Sequence, residues 1–238
     1  MKNLLNIPSD GKSRNTFIIY AIVLAVLFLN IIGAIAIIVI DRNQPDVARK
    51  EYQALSAEVH TSSVSVDFGL LEEKNPDICA WLISEGTGID YPIVQCEDNE
   101  YYRSHLFSGD TNRFGCLYID AAQTTDFSEK NTVIYGSSQL DSIYKYTRQD
   151  YYDLLPSMTI CTPYKTYTVL LYAGARTDNI TEAIKTDFAD NAEFTDYLSG
   201  LKENSAFRSN ISVTESDRIV TLCAGNGKEG FVLVGKLA

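Results

Sequence analysis

Asp217-Arg218-Ile219-Val220-Thr221-Leu222-Cys223, then Gly225-Asn226-Gly227, then Gly230-Phe231-Val232-Leu233-Val234-Gly235-Lys236-Leu237 reads as two strands joined by a tight turn. β-Branched and aromatic residues fill both runs, and Asn-Gly supplies the positive φ angles that hairpin turns need. The same texture recurs upstream. Short apolar or alternating runs bounded by Gly, Asn, Asp and Pro predict strands at 79–83, 89–94, 115–119, 131–135, 157–162, 165–173, 217–223 and 230–237. That spacing predicts an antiparallel barrel or sandwich. Two helices interrupt it. Residues 141–155 carry Ile143, Tyr144, Tyr151, Leu154 and Leu155 at helical spacing, with Pro156 after them. Residues 191–204 place Phe194, Tyr197, Leu198 and Leu201 on one face.

Upstream of the β-rich part the texture is different. Residues 16–40 are 25 positions without a charge. At ~1.5 Å per residue they make roughly 37 Å of helix, enough to cross a hydrocarbon core of about 30 Å. A signal peptide has a shorter apolar region and a small-residue cleavage site. The expected organisation is a cytoplasmic tail (1–15), a transmembrane helix (16–40) in contact with membrane lipid, a stalk helix and linker (41–66), and a folded domain (67–238). Lys2, Lys12 and Arg14 on one flank and Arg42, Arg49 and Lys50 on the other leave the positive-inside comparison tied. A short tail ahead of a long folded domain stays inside, so a single-pass protein of the cell membrane with its large domain extracytoplasmic is expected. A chain starting near Asp67 should then fold and stay soluble, and His60, in the stalk, should be solvated.

Composition narrows the function. Lys and Arg number 20 against 31 Asp and Glu, a net charge of −11, which argues against nucleic acid as a partner. Two His residues exclude a His-rich metal cluster, and Cys79, Cys96, Cys116, Cys161 and Cys223 match no zinc spacing; no metal or cofactor is expected. No disulfide framework is suggested either. Cys223, at the predicted strand end beside a turn, is the thiol expected to react first with an alkylating reagent.

Several segments, taken together, match the motifs of one known family. Asn75-Pro76-Asp77-Ile78-Cys79-Ala80-Trp81-Leu82 is similar to the family's NPDIVGWI. Thr87-Gly88-Ile89-Asp90-Tyr91-Pro92-Ile93-Val94-Gln95, with Asp98-Asn99 and Tyr101-Tyr102, resembles its T-x-IDYPVVQ…DN…YY. Phe114-Gly115-Cys116-Leu117-Tyr118-Ile119-Asp120, Asn131-Thr132-Val133-Ile134-Tyr135-Gly136 and Phe231-Val232-Leu233-Val234-Gly235-Lys236-Leu237 look like GxIFLD, NTVIYGH and RFVVVGKL. They run in that family's order across 67–238, and together they resemble class B sortases. The resemblance implies a closed β-barrel of about eight strands with peripheral helices, mainly β, after one transmembrane helix.

It also implies cysteine transpeptidation: a thiolate attacks a sorting-signal peptide of a surface protein or pilin, and a cell-wall amine acceptor resolves the acyl-enzyme. That chemistry needs a thiolate, a proton-transfer His and a positive donor at the oxyanion. In the family these are the Cys of a TLxTC strand, the His of YGH and the Arg of RFVV. Here Cys223 takes the nucleophile position, Ser137 stands in the His position and Gly230 in the Arg position. Losing acid–base catalysis costs ~10²–10⁴-fold and losing one oxyanion donor ~10²–10³-fold. Impaired or absent transpeptidation is therefore expected. The alternative is a non-catalytic module that holds a sorting signal, pilin or partner sortase. His105 and Lys228 are the candidate substitutes for the missing groups.

Overall fold

The structure is a computed structural model that describes residues 11–62, 65–225 and 229–238. It divides into two compact units, residues 1–44 and 45–238. Helix α1 (Gly11–Val59) contributes to both. Its first part carries the long apolar run, and Leu29, Ile37 and Ile40 there are exposed. Among the described residues α1 is the one helix long and apolar enough to cross a membrane.

The second unit is a closed eight-stranded barrel. Its strands are β3 (Ile78–Ser84), β4 (Ile89–Val94), β5 (Leu117–Ile119), β6 (Asn131–Gly136), β7 (Ser157–Cys161), β8 (Thr166–Thr177), β9 (Ile219–Gly225) and β10 (Gly230–Leu237). The order around the barrel is β10-β8-β7-β3-β4-β5-β6-β9, closing on β10. Only β4–β5 and β6–β9 pair in parallel; the other neighbours are antiparallel. A small pair, β1 (His60–Ser62) and β2 (Ser65–Val66), lies outside the barrel. Each predicted strand corresponds to one barrel strand. The exception that matters is β9, which continues two residues past Cys223 to pair Gly225 with Gly230.

All seven residues of β3 are buried because both faces of the strand are covered. Ala80 and Leu82 point into the barrel core, and Trp81 and Ile83 pack in a second cluster outside it. That second cluster contains Ala48, Tyr52, Leu55 and Val59 of α1, spaced four, three and four residues apart on one helical face. The Tyr52 hydroxyl donates to Gly115 O at 2.7 Å and accepts from Phe107 N–H at 3.2 Å. His60 is not solvated: it is half-buried, with Nε2 2.9 Å from Asp90 Oδ1 and its ring edge-on to Trp81. Asp90 also accepts from Trp81 Nε1 at 2.6 Å, so one carboxylate ties His60, the residue that follows α1, to the barrel wall.

This seam changes the expected truncation result. Removing 1–44 should leave a soluble folded chain, whereas removing 1–66 strips Tyr52, Leu55 and Val59 from Trp81. At ~1.5–3 kcal/mol per buried aliphatic or aromatic side chain, the shorter chain should lose several kcal/mol. Chemical denaturation of the two chains side by side checks this; equal midpoints would refute it.

The helices differ in detail. Helix α2 (Phe68–Lys74) is capped by Asp67, whose carboxylate accepts from Leu70 N–H at 3.0 Å. The expected 141–155 helix is instead a 3-10 helix (Ser138–Thr147) followed by α3 (Gln149–Leu154), with extended backbone at Arg148 between them. The reason is the apolar period. Leu140, Ile143 and Tyr146 recur every third residue, which suits three residues per turn, and all are fully buried. Leu154 is 78% exposed and takes no part in the core. Helix α4 (Ile180–Ala183) follows β8, and α5 (Asn191–Glu203) starts at Asp190, whose carboxylate accepts from Glu193 N–H.

Candidate functional site

Parallel pairing of β6 with β9 brings the two strand ends together. Tyr135 is in register with Cys223 and Gly136 with Ala224. The next residue of each strand, Ser137 and Gly225, opens on a groove of about 380 Å³. Tyr118 and Tyr135 form one wall, stacked at 5.3 Å. Arg103 also lines the groove, 3.0 Å from Glu100 Oε1. Ser137 and Gly225 line an adjoining mouth as well, with Asp141, Tyr144 and Glu229. Burial raises the Asp141 carboxyl, and Arg49 opposes that.

Ser137 is fixed as a cap. Its Oγ accepts from Ser138 N–H at 2.7 Å, and its own N–H donates to Gln139 Oε1 at 2.9 Å. Buried Gln139 in turn donates to Phe114 O at 2.5 Å, which holds the start of the 3-10 helix against the barrel. Ser137 therefore reaches the groove as a hydroxyl already engaged with backbone.

Cys223 borders the same groove but is 1% exposed. It is an interior strand residue packed with Val133, Ile180 and Val232, not the strand end that the sequence suggested. Burial pushes its thiol up, so the neutral form dominates far above neutral pH. No disulfide joins the five cysteines, and Cys79, Cys116, Cys161 and Cys223 are all buried. Cys96 is partly exposed, so it replaces Cys223 as the thiol expected to alkylate first. Site-resolved mass analysis of the native chain after a short iodoacetamide pulse tests that order; labelling of Cys223 ahead of Cys96 would reverse it.

Gly230 begins β10, in register with Gly225 on one side and Thr177 on the other. A β-carbon there would stand 2.6 Å from Ala224 O and 2.7 Å from Ile180 Cγ1, far inside normal contact. Gly225 has φ +140°, and a β-carbon on it would lie 3.0 Å from Ile180 Cδ1. The structure thus places Ser137, Cys223 and Gly230 around one end of β9, with Ile180 among them.

His105 is held elsewhere. Its ring stacks on Tyr101 at 4.0 Å and its Nδ1 lies 2.7 Å from Tyr101 O. Residue 105 bridges to Thr111, which closes a loop. Lys228 lies outside the described residues. Arg103, Ile180 and the Tyr118–Tyr135 stack were not singled out from sequence. They come from separate segments, and only barrel closure gathers them.

No protein-family model matches the sequence. Sortase B of Listeria monocytogenes is 33% identical over 177 residues, 70% of this chain and 72% of that protein. Sortase B of Staphylococcus aureus is 26% identical over 187 residues, 76% of each. Among solved structures, Bacillus anthracis sortase B in complex with AAEK1 superposes with a TM-score of 0.73 at 26% identity, covering 84% of this chain and 98% of that one. A Staphylococcus aureus sortase B–substrate complex gives 0.71 at 25% identity, covering 83% and 95%. Identity sustained over most of both chains, on a shared closed barrel, means that this chain belongs to the class B sortase family.

Proposed function

We propose that this protein is a membrane-anchored sortase-fold module that binds a sorting-signal type of peptide in the groove at the ends of β6 and β9 without efficient acyl transfer. The observation that carries this reading is the burial of Cys223 under Ile180 and Val232. A nucleophilic thiol has to be ionised and within reach of a base. Cys223 has its thiol raised by desolvation, and Ser137, which faces the groove, is no base near neutral pH. The family strand motif supports the same conclusion from another side. Laid on Thr221-Leu222, TLxTC carries its cysteine to position 225, which is glycine here. On either alignment no exposed thiol stands beside Ser137.

Binding is a different matter. The groove keeps a stacked tyrosine wall, a guanidinium at Arg103 and an acidic mouth at Asp141 and Glu229. The corresponding fold in Staphylococcus aureus sortase B has been seen with substrate. Residues 16–40 serve as the anchor, and the barrel stands on the extracytoplasmic side, where surface-protein or pilin signals are exposed. The domain reading is a tail at 1–15, the anchor at 16–40, a stalk helix and linker at 41–66 and the sortase-like domain at 67–238.

The test uses the full chain in detergent with a fluorescent sorting-signal peptide. Retention of intact peptide, with no cleavage and no mass added to Cys223, is the expected result. A thioester on Cys223, or release of cleaved peptide that Cys223→Ala abolishes, would overturn the binding reading in favour of transpeptidation.

A further inference from the structure

We propose, building on that reading, that Ile180 is the residue that closes the reaction space of this groove. Ile180 opens the four-residue helix α4, where the Asn179 side chain accepts from Glu182 N–H at 3.4 Å. It is 6% exposed and packs on Val133, Cys223 and Val232. Its side chain meets two glycines at once. Gly225 and Gly230 are directly paired across β9 and β10. Ile180 Cδ1 lies 3.0 Å from where a β-carbon on Gly225 would be, and Ile180 Cγ1 lies 2.7 Å from one on Gly230.

Two glycines facing one branched apolar side chain form a seat. Glycine adds no atom beyond the backbone, so the isoleucine takes volume that a side chain on Gly230 would claim and closes over Gly225, where Glu229 O and Gly230 Cα (2.8 Å) already leave no room for a β-carbon. These are the positions from which β9 and β10 could send a nucleophile or a cation toward Ser137. Ile180 together with Ala224 O keeps one from position 230, the backbone of Glu229 and Gly230 keeps one from position 225, and Cys223 beneath Ile180 stays buried. Ile180 is thus a specificity-determining residue: it makes this end of the groove an apolar contact surface in place of a reacting one.

The inference predicts coupling between position 180 and its surroundings. In the full chain in detergent, Ile180→Ala should speed iodoacetamide labelling of Cys223 by about tenfold or more, as a local opening does. Cys79 and Cys116, buried in other clusters, should keep their rates and so report any general loosening. Ile180→Val should give a smaller rise in the same direction and serves if the alanine variant does not fold. Thermal unfolding supplies the second readout. Gly230→Ala should lower the melting temperature, and adding Ile180→Ala should recover part of that loss. Gly235→Ala, whose β-carbon would be crowded by Val169 instead, should show no such recovery. Labelling of Cys223 that is unchanged, or that rises together with Cys79 and Cys116, would overturn the proposal. So would a Gly230→Ala loss of the same size with and without Ile180→Ala. A thioester on wild-type Cys223 would sink the binding reading while leaving this packing test intact, so the two failures are distinguishable.

Discussion

Raised from pH 8 to pH 12, the full chain should lose most of its stability and unfold in a cooperative step. The cause is a set of acids that folding buries in their neutral forms. Burial raises Cys116 from the ordinary thiol value of 9.0 to about 12, against the hydrogen bond from Tyr52. Burial likewise raises Tyr118 from 10.0 to about 12, with Arg103 opposing, and Tyr197 from 10.0 to about 12. Cys79 and Cys223 move in the same direction for the same reason. A group whose folded pKa is raised contributes its full stability below the unfolded pKa and loses it as pH climbs toward the folded value. The window is therefore pH 9 to 12. At ~1.4 kcal/mol per unit, Cys116 alone accounts for about 4 kcal/mol at its upper end. The tyrosines and the other thiols add to that loss in the same direction, against the ~5–15 kcal/mol that holds a domain together. Urea midpoints taken at half-unit steps of pH should fall steeply from about pH 9. Tyr118→Phe, which deletes one titrating group, should move the alkaline transition upward while leaving pH 7 stability little changed. A flat profile up to pH 11, or no shift in the variant, would refute the account.

Much of this fold was legible in the sequence because its strands are short and sharply punctuated. Val133-Ile134-Tyr135 ends at Gly136, and Ile93-Val94 ends where polar residues begin, so the eight runs stand apart before any pairing is known. The connecting helix before the barrel was less legible. Ala48, Tyr52, Leu55 and Val59 form one face, but Glu51, Gln53 and Glu58 between them make the segment read as polar. Composition conceals the stripe; the spacing reveals it. The site was harder still. That Ser137, Cys223 and Gly230 meet follows from the parallel β6–β9 pairing and the β9–β10 hairpin, which the motif order implies. The burial of Cys223 was not visible. Sequence places a thiol at the last apolar residue of a strand, but pairing extends β9 to Gly225 and moves the open end two residues on. Ile180 contributes nothing recognisable as a motif, since its effect depends on two glycines more than forty residues away.

Replacing Ser137 by His and Gly230 by Arg should not switch this chain on, although those two positions are the family's His and Arg by motif. The pair should lower the melting temperature and leave the amount of Cys223 adduct with a sorting-signal peptide at the parent level. Three physical terms act together. The arginine needs a β-carbon where Ala224 O and Ile180 already stand, and overpacking of this kind costs ~1–3 kcal/mol. For a folded unit of this size each kcal/mol is worth about 2–4 °C. The histidine would project from the residue opposite Gly225. The Cys223 thiol is two positions back along β9, roughly 7 Å of strand, and proton transfer needs about 2.6–3.2 Å between heavy atoms. The thiol itself is desolvated, so the thiolate needed for attack is scarce even with a base supplied. Circular dichroism establishes that the variant is folded, melting gives the size of the clash, and intact-mass analysis after peptide incubation reads the first half-reaction alone. A folded double variant with at least tenfold more adduct than the parent would mean that Cys223 is reachable from residue 137 and that its burial is not what silences the site. Adduct that stays at background until Ile180→Ala is added would instead place the block in the side chain that fills the space, with the missing His and Arg as a second, separable loss.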